Sequence, residues 1–143
     1  MLNIVFSSLI ATALMTVASL IFSILIGTNY FIPTKINQFF FPNKDGFIPK
    51  LISWIIHFII GYIFALIWVF IDSYISTENI IYDGLIYGVI CGIMGMIGWR
   101  LIIGISNKKM EKFKLGYLLH IFLVHIVYSL ALIYCLSSDI SGV

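Results

Sequence analysis

The chain has 143 residues, of which 62% are hydrophobic and only 10% are charged. This composition excludes an ordinary water-soluble domain, and the formal net charge of +2 does not indicate nucleic acid binding. Because a spanning helix needs about 20 mostly apolar residues, a chain of this length has room for four spans and short loops. The sequence therefore predicts a single membrane domain, residues 1–143.

Four apolar stretches predict the transmembrane helices of an all-α bundle. The first covers residues 3–27 and is too long for the core of a signal peptide, so we predict an uncleaved helix. The others cover about residues 51–71, 80–103 and 115–136. Between the first two lies the longest loop, residues 28–50, where Pro33, Pro42 and Pro49 are typical of turns. Its three consecutive phenylalanines, 39–41, are expected along the membrane surface or packed against the bundle or a partner.

The charged residues separate along the chain and predict the orientation. Every basic side chain falls in the first loop or in and beside the third: Lys35, Lys44, Lys50, Arg100, Lys108, Lys109, Lys112 and Lys114. The opposite side carries only acidic residues: Asp72, Glu78, Asp83 and Asp139. Short cytoplasmic loops are enriched in Lys and Arg, so both termini are predicted on the non-cytoplasmic side. The frequent Ile, with Asn, Lys, Tyr and Phe, suggests AT-rich codon usage and hints at a bacterial source. The expected location is therefore the bacterial inner membrane.

Small and weakly polar residues form stripes at helical spacing on the first three predicted helices. In lipid such residues mark faces where helices approach closely. The stripes predict helix packing, and a substrate path lined by small residues is the alternative. If the glycine faces are exposed, they predict contacts between copies of the chain. The packing residues are Ser8, Thr12 and Thr16 on the first helix, Gly61 on the second, and Gly84, Gly88 and Gly92 on the third.

Four ionisable residues inside or beside the spans are the candidate functional residues, because such groups are costly in a membrane. His57 lies roughly 9 Å into the second helix from the basic side, and His120 lies at a similar depth in the fourth. His125 is rotated by about 140° from His120, so at most one of this pair is expected to meet His57. Together with Arg100, His57 and His120 are predicted to be able to surround a lipid phosphate or an anionic solute.

Several readings of the histidines stay open. Each is a candidate for a neutral imidazole bonded to a serine, a threonine or a carbonyl of a neighbouring helix. Two alternatives are a haem held between His57 and His120 and proton-linked transport by the histidines. Haem is the less favoured of the two, and the sequence names no other cofactor. Taken alone, Arg100 is predicted to anchor its helix at the membrane surface. No metal site and no catalytic motif is found, and Cys91 and Cys135 read as buried thiols.

Two segments carry a resemblance. They are Ile-Ala-Thr-Ala-Leu-Met-Thr at residues 10–16 and Ile-Ser-Trp-Ile-Ile-His-Phe-Ile-Ile-Gly at residues 52–61. With the His57 and Gly61 spacing, the glycines of the third span and the histidines of the fourth, the chain resembles uncharacterised four-helix bacterial inner-membrane proteins distantly similar to YagU-like proteins. That group has no established activity, so the resemblance implies only a fold and a location.

We therefore expect a small structural or accessory membrane protein without catalysis. Its expected partners are the lipid bilayer and either further copies of itself or other membrane subunits, because four short helices enclose little space. A small-solute or proton-linked transporter or channel is the first alternative. A haem-binding or lipid-binding membrane subunit is the second.

Overall fold

The computed structural model describes residues 2–42, 44, 46–77, 79–105 and 115–140. These residues form five helices: α1 (Leu2–Ile26), α2 (Ile32–Phe40), α3 (Phe47–Ile75), α4 (Ile80–Ile105) and α5 (Leu115–Ile140). All but α2 are long and apolar enough to cross a membrane, over Asn3–Ile26, Phe47–Ile75, Ile80–Ile102 and Leu115–Ser138. The prediction of an all-helical chain with four long apolar helices is confirmed. Lys108, Lys109, Lys112 and Lys114 lie outside the described residues.

The end of α1 follows from its sequence. Gly27 adopts a left-handed backbone conformation with φ of 66°. The amide of Gly27 donates to the carbonyl of Ile24, and the amide of Thr28 donates to that of Ser23. This pair of bonds is the Schellman arrangement, which suits glycine because it lacks a Cβ. The chain therefore turns directly after Ile26.

The prediction of an irregular first loop is wrong for two of its parts. Residues 32–40 form α2, and α3 begins at Phe47 instead of Leu51. Pro33 lies in the first turn of α2, and Pro49 lies in the first turn of α3. A proline in a first turn is tolerated because its missing N–H has no partner within the helix there. The prolines therefore begin helices in this segment and do not interrupt them.

The most extensive helix contact is between α4 and α5, where the glycines of α4 lie against α5. A Cβ added to Gly84, Gly88 or Gly92 would come within 2.6, 2.8 and 2.6 Å of Leu130, Ile126 and Phe122, respectively. Only glycine permits this separation. The stripe is therefore occupied within the chain, and it offers no exposed glycine face for a second copy.

The small polar residues of α1 pack against α3, and their hydroxyls donate hydrogen bonds within α1. A Cβ added to Gly61 of α3 would overlap the hydroxyl of Thr12. Ser8 donates to the carbonyl of Val5, Thr12 to that of Ser8, and Thr16 to that of Thr12. Polar groups facing lipid or packed helices must find such partners. These three hydroxyls are therefore buried at the helix contact with their hydrogen-bond donors paired.

Helices α3 and α4 are held together near the turn that connects them. Trp68 and Tyr87 have ring centroids 5.0 Å apart, and the Tyr87 hydroxyl donates to the carbonyl of Phe64. In the turn, the buried carboxylate of Asp83 accepts bonds from the amide and hydroxyl of Thr77 at 2.7 and 2.8 Å. It also accepts one from the hydroxyl of Ser76 at 2.9 Å. Away from this turn α3 and α4 have few contacts with each other.

Candidate functional site

A cavity of about 250 Å³ lies where α3 and α4 separate. We call it the α3–α4 cleft. It lies in the half of the bundle toward α2 and the basic residues, and α2 covers that end through Ile32, Ile36, Phe39 and Phe40. Its wall is almost entirely apolar and includes side chains from each of the five helices. The cleft is therefore a lateral opening between two long helices, closed at one end by a short one.

His57 is one of two histidines in the wall of the α3–α4 cleft. It is only 4% exposed, and its Nε2 lies 2.9 Å from the hydroxyl of Thr16 on α1. The single proton of that hydroxyl is donated to the carbonyl of Thr12 at 2.6 Å. Nε2 of His57 must therefore be the donor, which leaves Nδ1 as the acceptor of a neutral ring.

His125 is the second histidine of the wall and is 6% exposed. Its Nδ1 lies 2.7 Å from the carbonyl of Ile121, which can only accept, so Nδ1 carries the proton. Its Nε2 faces Gly95 of α4, also a wall residue, and would lie 3.0 Å from a Cβ placed there. Among the described residues Nε2 has no hydrogen-bond partner. It is therefore an acceptor in the apolar wall of the cleft, beside Gly95.

His120 lies outside the α3–α4 cleft. Its Nε2 is 2.9 Å from the hydroxyl of Ser19 on α1, and its ring lies near those of Tyr30 and Tyr117. Its Nδ1 is buried without a partner in the described part of the chain. Helix α1 contacts both α3 and α5 and offers one hydroxyl to His57 and another to His120. The structure therefore places His125, and not His120, with His57.

Arg100 is exposed at the far end of α4 and does not line the cleft. It follows Trp99, whose ring does line it, and successive helical residues point about 100° apart. Arg100, His57 and His120 are therefore not brought around one site. The arrangement considered for a lipid phosphate or an anionic solute is not formed by these three residues.

The described residues contain no group of three or more His, Cys, Asp or Glu side chains placed to hold a metal ion. Cys91 is buried and Cys135 is half-buried, and the two do not form a disulfide bond. A haem between His57 and His120 would require two opposed ring nitrogens, whereas Nε2 of each is bound to a hydroxyl of α1. This geometry does not fit the haem pairing considered from the sequence.

Two elements of the site were missed by the sequence analysis. The first is α2, whose buried Ile32 and Ile36 and cleft-lining Phe39 recur at helical spacing. That period was the available signal. The second is the cleft itself. The sequence feature that best indicates it is Gly98, which lies beyond the packed glycines of α4 and would have nothing within 4 Å of an added Cβ.

Comparisons of the chain with protein-family models, with curated proteins and with solved structures found no match. The class of the protein therefore follows from its own features. Four candidate spans indicate a multi-pass α-helical membrane protein, and the α3–α4 cleft opens between two of those spans.

Proposed function

We propose that the chain is a small accessory protein of the bacterial inner membrane that binds a lipid-like molecule in the α3–α4 cleft. The observation that carries the proposal is the lateral position of this apolar space. Ile60 on α3 and Met94 on α4 line the cleft and are 41% and 43% exposed. In a membrane such side chains face hydrocarbon, so a molecule dissolved in the bilayer would reach the cleft without crossing water.

The size and shape of the cleft support a ligand of this kind. Ligand sites are typically concave, apolar and provided with a few placed polar groups. An apolar cavity of about 150 Å³ is enough to hold a benzene molecule. The 250 Å³ cleft therefore has room for a ring with substituents or for part of an alkyl chain, with the rest of the molecule extending into the bilayer.

The neighbouring contacts explain why the helices would not simply close the space. Helix α4 is fixed on α5 by close glycine contacts, and α3 is fixed on α1 through Gly61. Helix α2 also packs against α3, where the Ser53 hydroxyl lies 3.3 Å from the side-chain oxygen of Asn37. Closing the cleft would break one of these contacts, so the space is built into the fold.

The proposal includes the orientation of the chain in the membrane. Lys35, Lys44, Lys50 and Arg100 lie at the end of the bundle that holds the cleft. An excess of Lys and Arg favours the cytoplasmic side. Under this proposal both termini lie on the non-cytoplasmic side, and the cleft lies in the cytoplasmic leaflet. An accessory role would be carried out as a homo-oligomer or within a larger membrane complex. The resemblance to YagU-like proteins remains a prediction.

Filling the cleft tests the proposal. The substitution Gly98→Leu should place a side chain in the cleft. Residue 98 lines the cleft, and a Cβ on Gly98 meets nothing within 4 Å. Gly104 is a matched control on the same helix, since it is equally open and does not line the cleft. The full chain is placed in liposomes that contain a fatty acid with a photoreactive diazirine on its alkyl chain, and crosslinks are mapped by mass spectrometry.

The unaltered chain and Gly104→Leu should crosslink through the cleft-facing positions of α3 and α4. Gly98→Leu should lose these crosslinks while keeping those on the outer faces of α1. Equal labelling of the cleft in all three proteins, or labelling spread evenly over every lipid-facing surface, would overturn the proposed function.

A further inference from the structure

The polar groups of the α3–α4 cleft define what a bound molecule must offer. An unpaired charge inside a membrane is expensive, so the two cleft imidazoles are most stable as neutral rings, each with one donor and one acceptor. Both donors are occupied, Nε2 of His57 by the Thr16 hydroxyl and Nδ1 of His125 by the Ile121 carbonyl. What remains is acceptors only: Nδ1 of His57 and Nε2 of His125.

The acceptor on His125 is the better placed of the two. His125 is only 6% exposed, and the Nε2 edge of its ring lies beside Gly95 in the wall of the cleft. A side chain at position 95 would collide with that edge, and glycine avoids the collision. Phe64 meets the imidazole edge-on, with ring centroids 5.6 Å apart, and fixes its plane. The lone pair is thus held in one direction.

We infer that the molecule bound in the cleft is an uncharged, ring-containing lipid with a hydroxyl group, of the hydroquinone or alkylphenol class, whose hydroxyl donates to Nε2 of His125. The inference rests on the proposed function, because it names the ligand of the same cleft. A phospholipid diester group presents ester and phosphate oxygens, which only accept, and would leave the imidazole lone pair unpaired. An aromatic ring also suits the walls, which include Phe39, Phe64 and Trp99.

A pair of probes that differ only in the donor tests the inference. 4-Pentylphenol carries the hydroxyl, and 4-pentylanisole has the same ring and chain with the hydroxyl methylated. Each competes against the diazirine fatty acid for crosslinking in the cleft of the full chain in liposomes, and membrane concentrations are measured directly. One hydrogen bond in an apolar site predicts that the phenol competes at about five- to tenfold lower concentration.

His125→Phe should abolish the difference between the probes, since phenylalanine keeps the ring and removes the acceptor. His120→Phe is the matched control, on the same helix and outside the cleft, and should retain the difference. The ¹⁵N signal of His125 Nε2 in the unaltered chain gives an independent readout if His125→Phe does not fold. It should shift with the phenol and not with the anisole.

The outcomes separate this inference from the proposed function. A phenol preference that depends on His125, together with the ¹⁵N shift, supports both. Equal competition by the two probes, blocked by Gly98→Leu, overturns the hydroxyl-donating ligand and leaves lipid binding in the cleft intact. No competition by either probe, with no cleft crosslink to compete against, overturns both.

Discussion

Substitution of Gly88 by alanine tests whether the contact between α4 and α5 governs the stability of the fold. The added Cβ would lie 2.8 Å from the Cα of Ile126 and 3.1 Å from its Cγ1. Carbon atoms prefer separations of about 3.5 Å or more, so the helices must move apart by roughly 0.7 Å. The atom met is backbone, which cannot rotate away. The movement would also loosen the contacts at Gly84 and Gly92.

The expected cost follows from two opposed effects. Overpacking a close contact costs about 1–3 kcal/mol, and replacing a helical glycine by alanine returns up to about 1 kcal/mol. Gly104→Ala on the same helix makes the second change without the first, because nothing lies within 4 Å of its Cβ. Gly88→Ala should therefore be less stable than Gly104→Ala by about 1–3 kcal/mol.

The assay is reversible unfolding of both variants in mixed micelles with increasing dodecyl sulfate, followed by tryptophan fluorescence. The comparison between two alanine variants cancels the change in helix propensity. If Gly88→Ala unfolds at the same dodecyl sulfate fraction as Gly104→Ala, the glycine stripe is not a close helix contact. The account of why the cleft stays open would then fail with it.

Two further predictions concern polar contacts. Thr16→Val removes the hydroxyl that accepts from Nε2 of His57, and it should destabilise the chain by about 0.6–2 kcal/mol in the same unfolding assay. Thr16→Ser keeps the hydroxyl and should be close to the unaltered chain, so an equal loss in both variants would contradict the bond. Asp83→Asn replaces one of the two carboxylate oxygens that bind Ser76 and Thr77, and it should speed hydrogen exchange at the Thr77 amide. Unchanged exchange there would show that Asp83 does not hold the α3–α4 turn.

The long helices could be predicted because their signal is additive over many residues. Each span combines length with low charge, and no single side chain decides the outcome. The first loop depended on a single rule about proline, and that rule depends on position. Pro33 and Pro49 both stand in first turns, which the sequence shows only once the helix start is known. The helical spacing of Ile32, Ile36 and Phe39 was the more direct signal.

The histidines show the corresponding limit for the site. Counting residues along a helix gives the depth of a side chain in the membrane. On depth alone, His57 and His120 were predicted to lie together. Which neighbour each ring meets depends on how the helices are arranged around α1. Here Thr16 bonds to His57 and Ser19 bonds to His120, so each ring is bound to a different hydroxyl of α1 and not to the other ring. The rotation between His120 and His125 places the latter in the cleft. Helix arrangement is a property of the packed chain that residue spacing does not contain.

The setting of the cleft determines where its selectivity must lie. A space that opens to the bilayer is accessible to the acyl chains of the surrounding lipids. An apolar ligand gains little from entering it, since the hydrocarbon it leaves is as favourable as the wall it meets. Discrimination between ligands therefore depends on polar groups, where an unmade hydrogen bond in an apolar site is costly. In the α3–α4 cleft the groups that can discriminate are Nδ1 of His57 and Nε2 of His125, which have no hydrogen-bond partner among the described residues. Substitution of His125 should therefore alter which molecule binds much more than whether the cleft is filled.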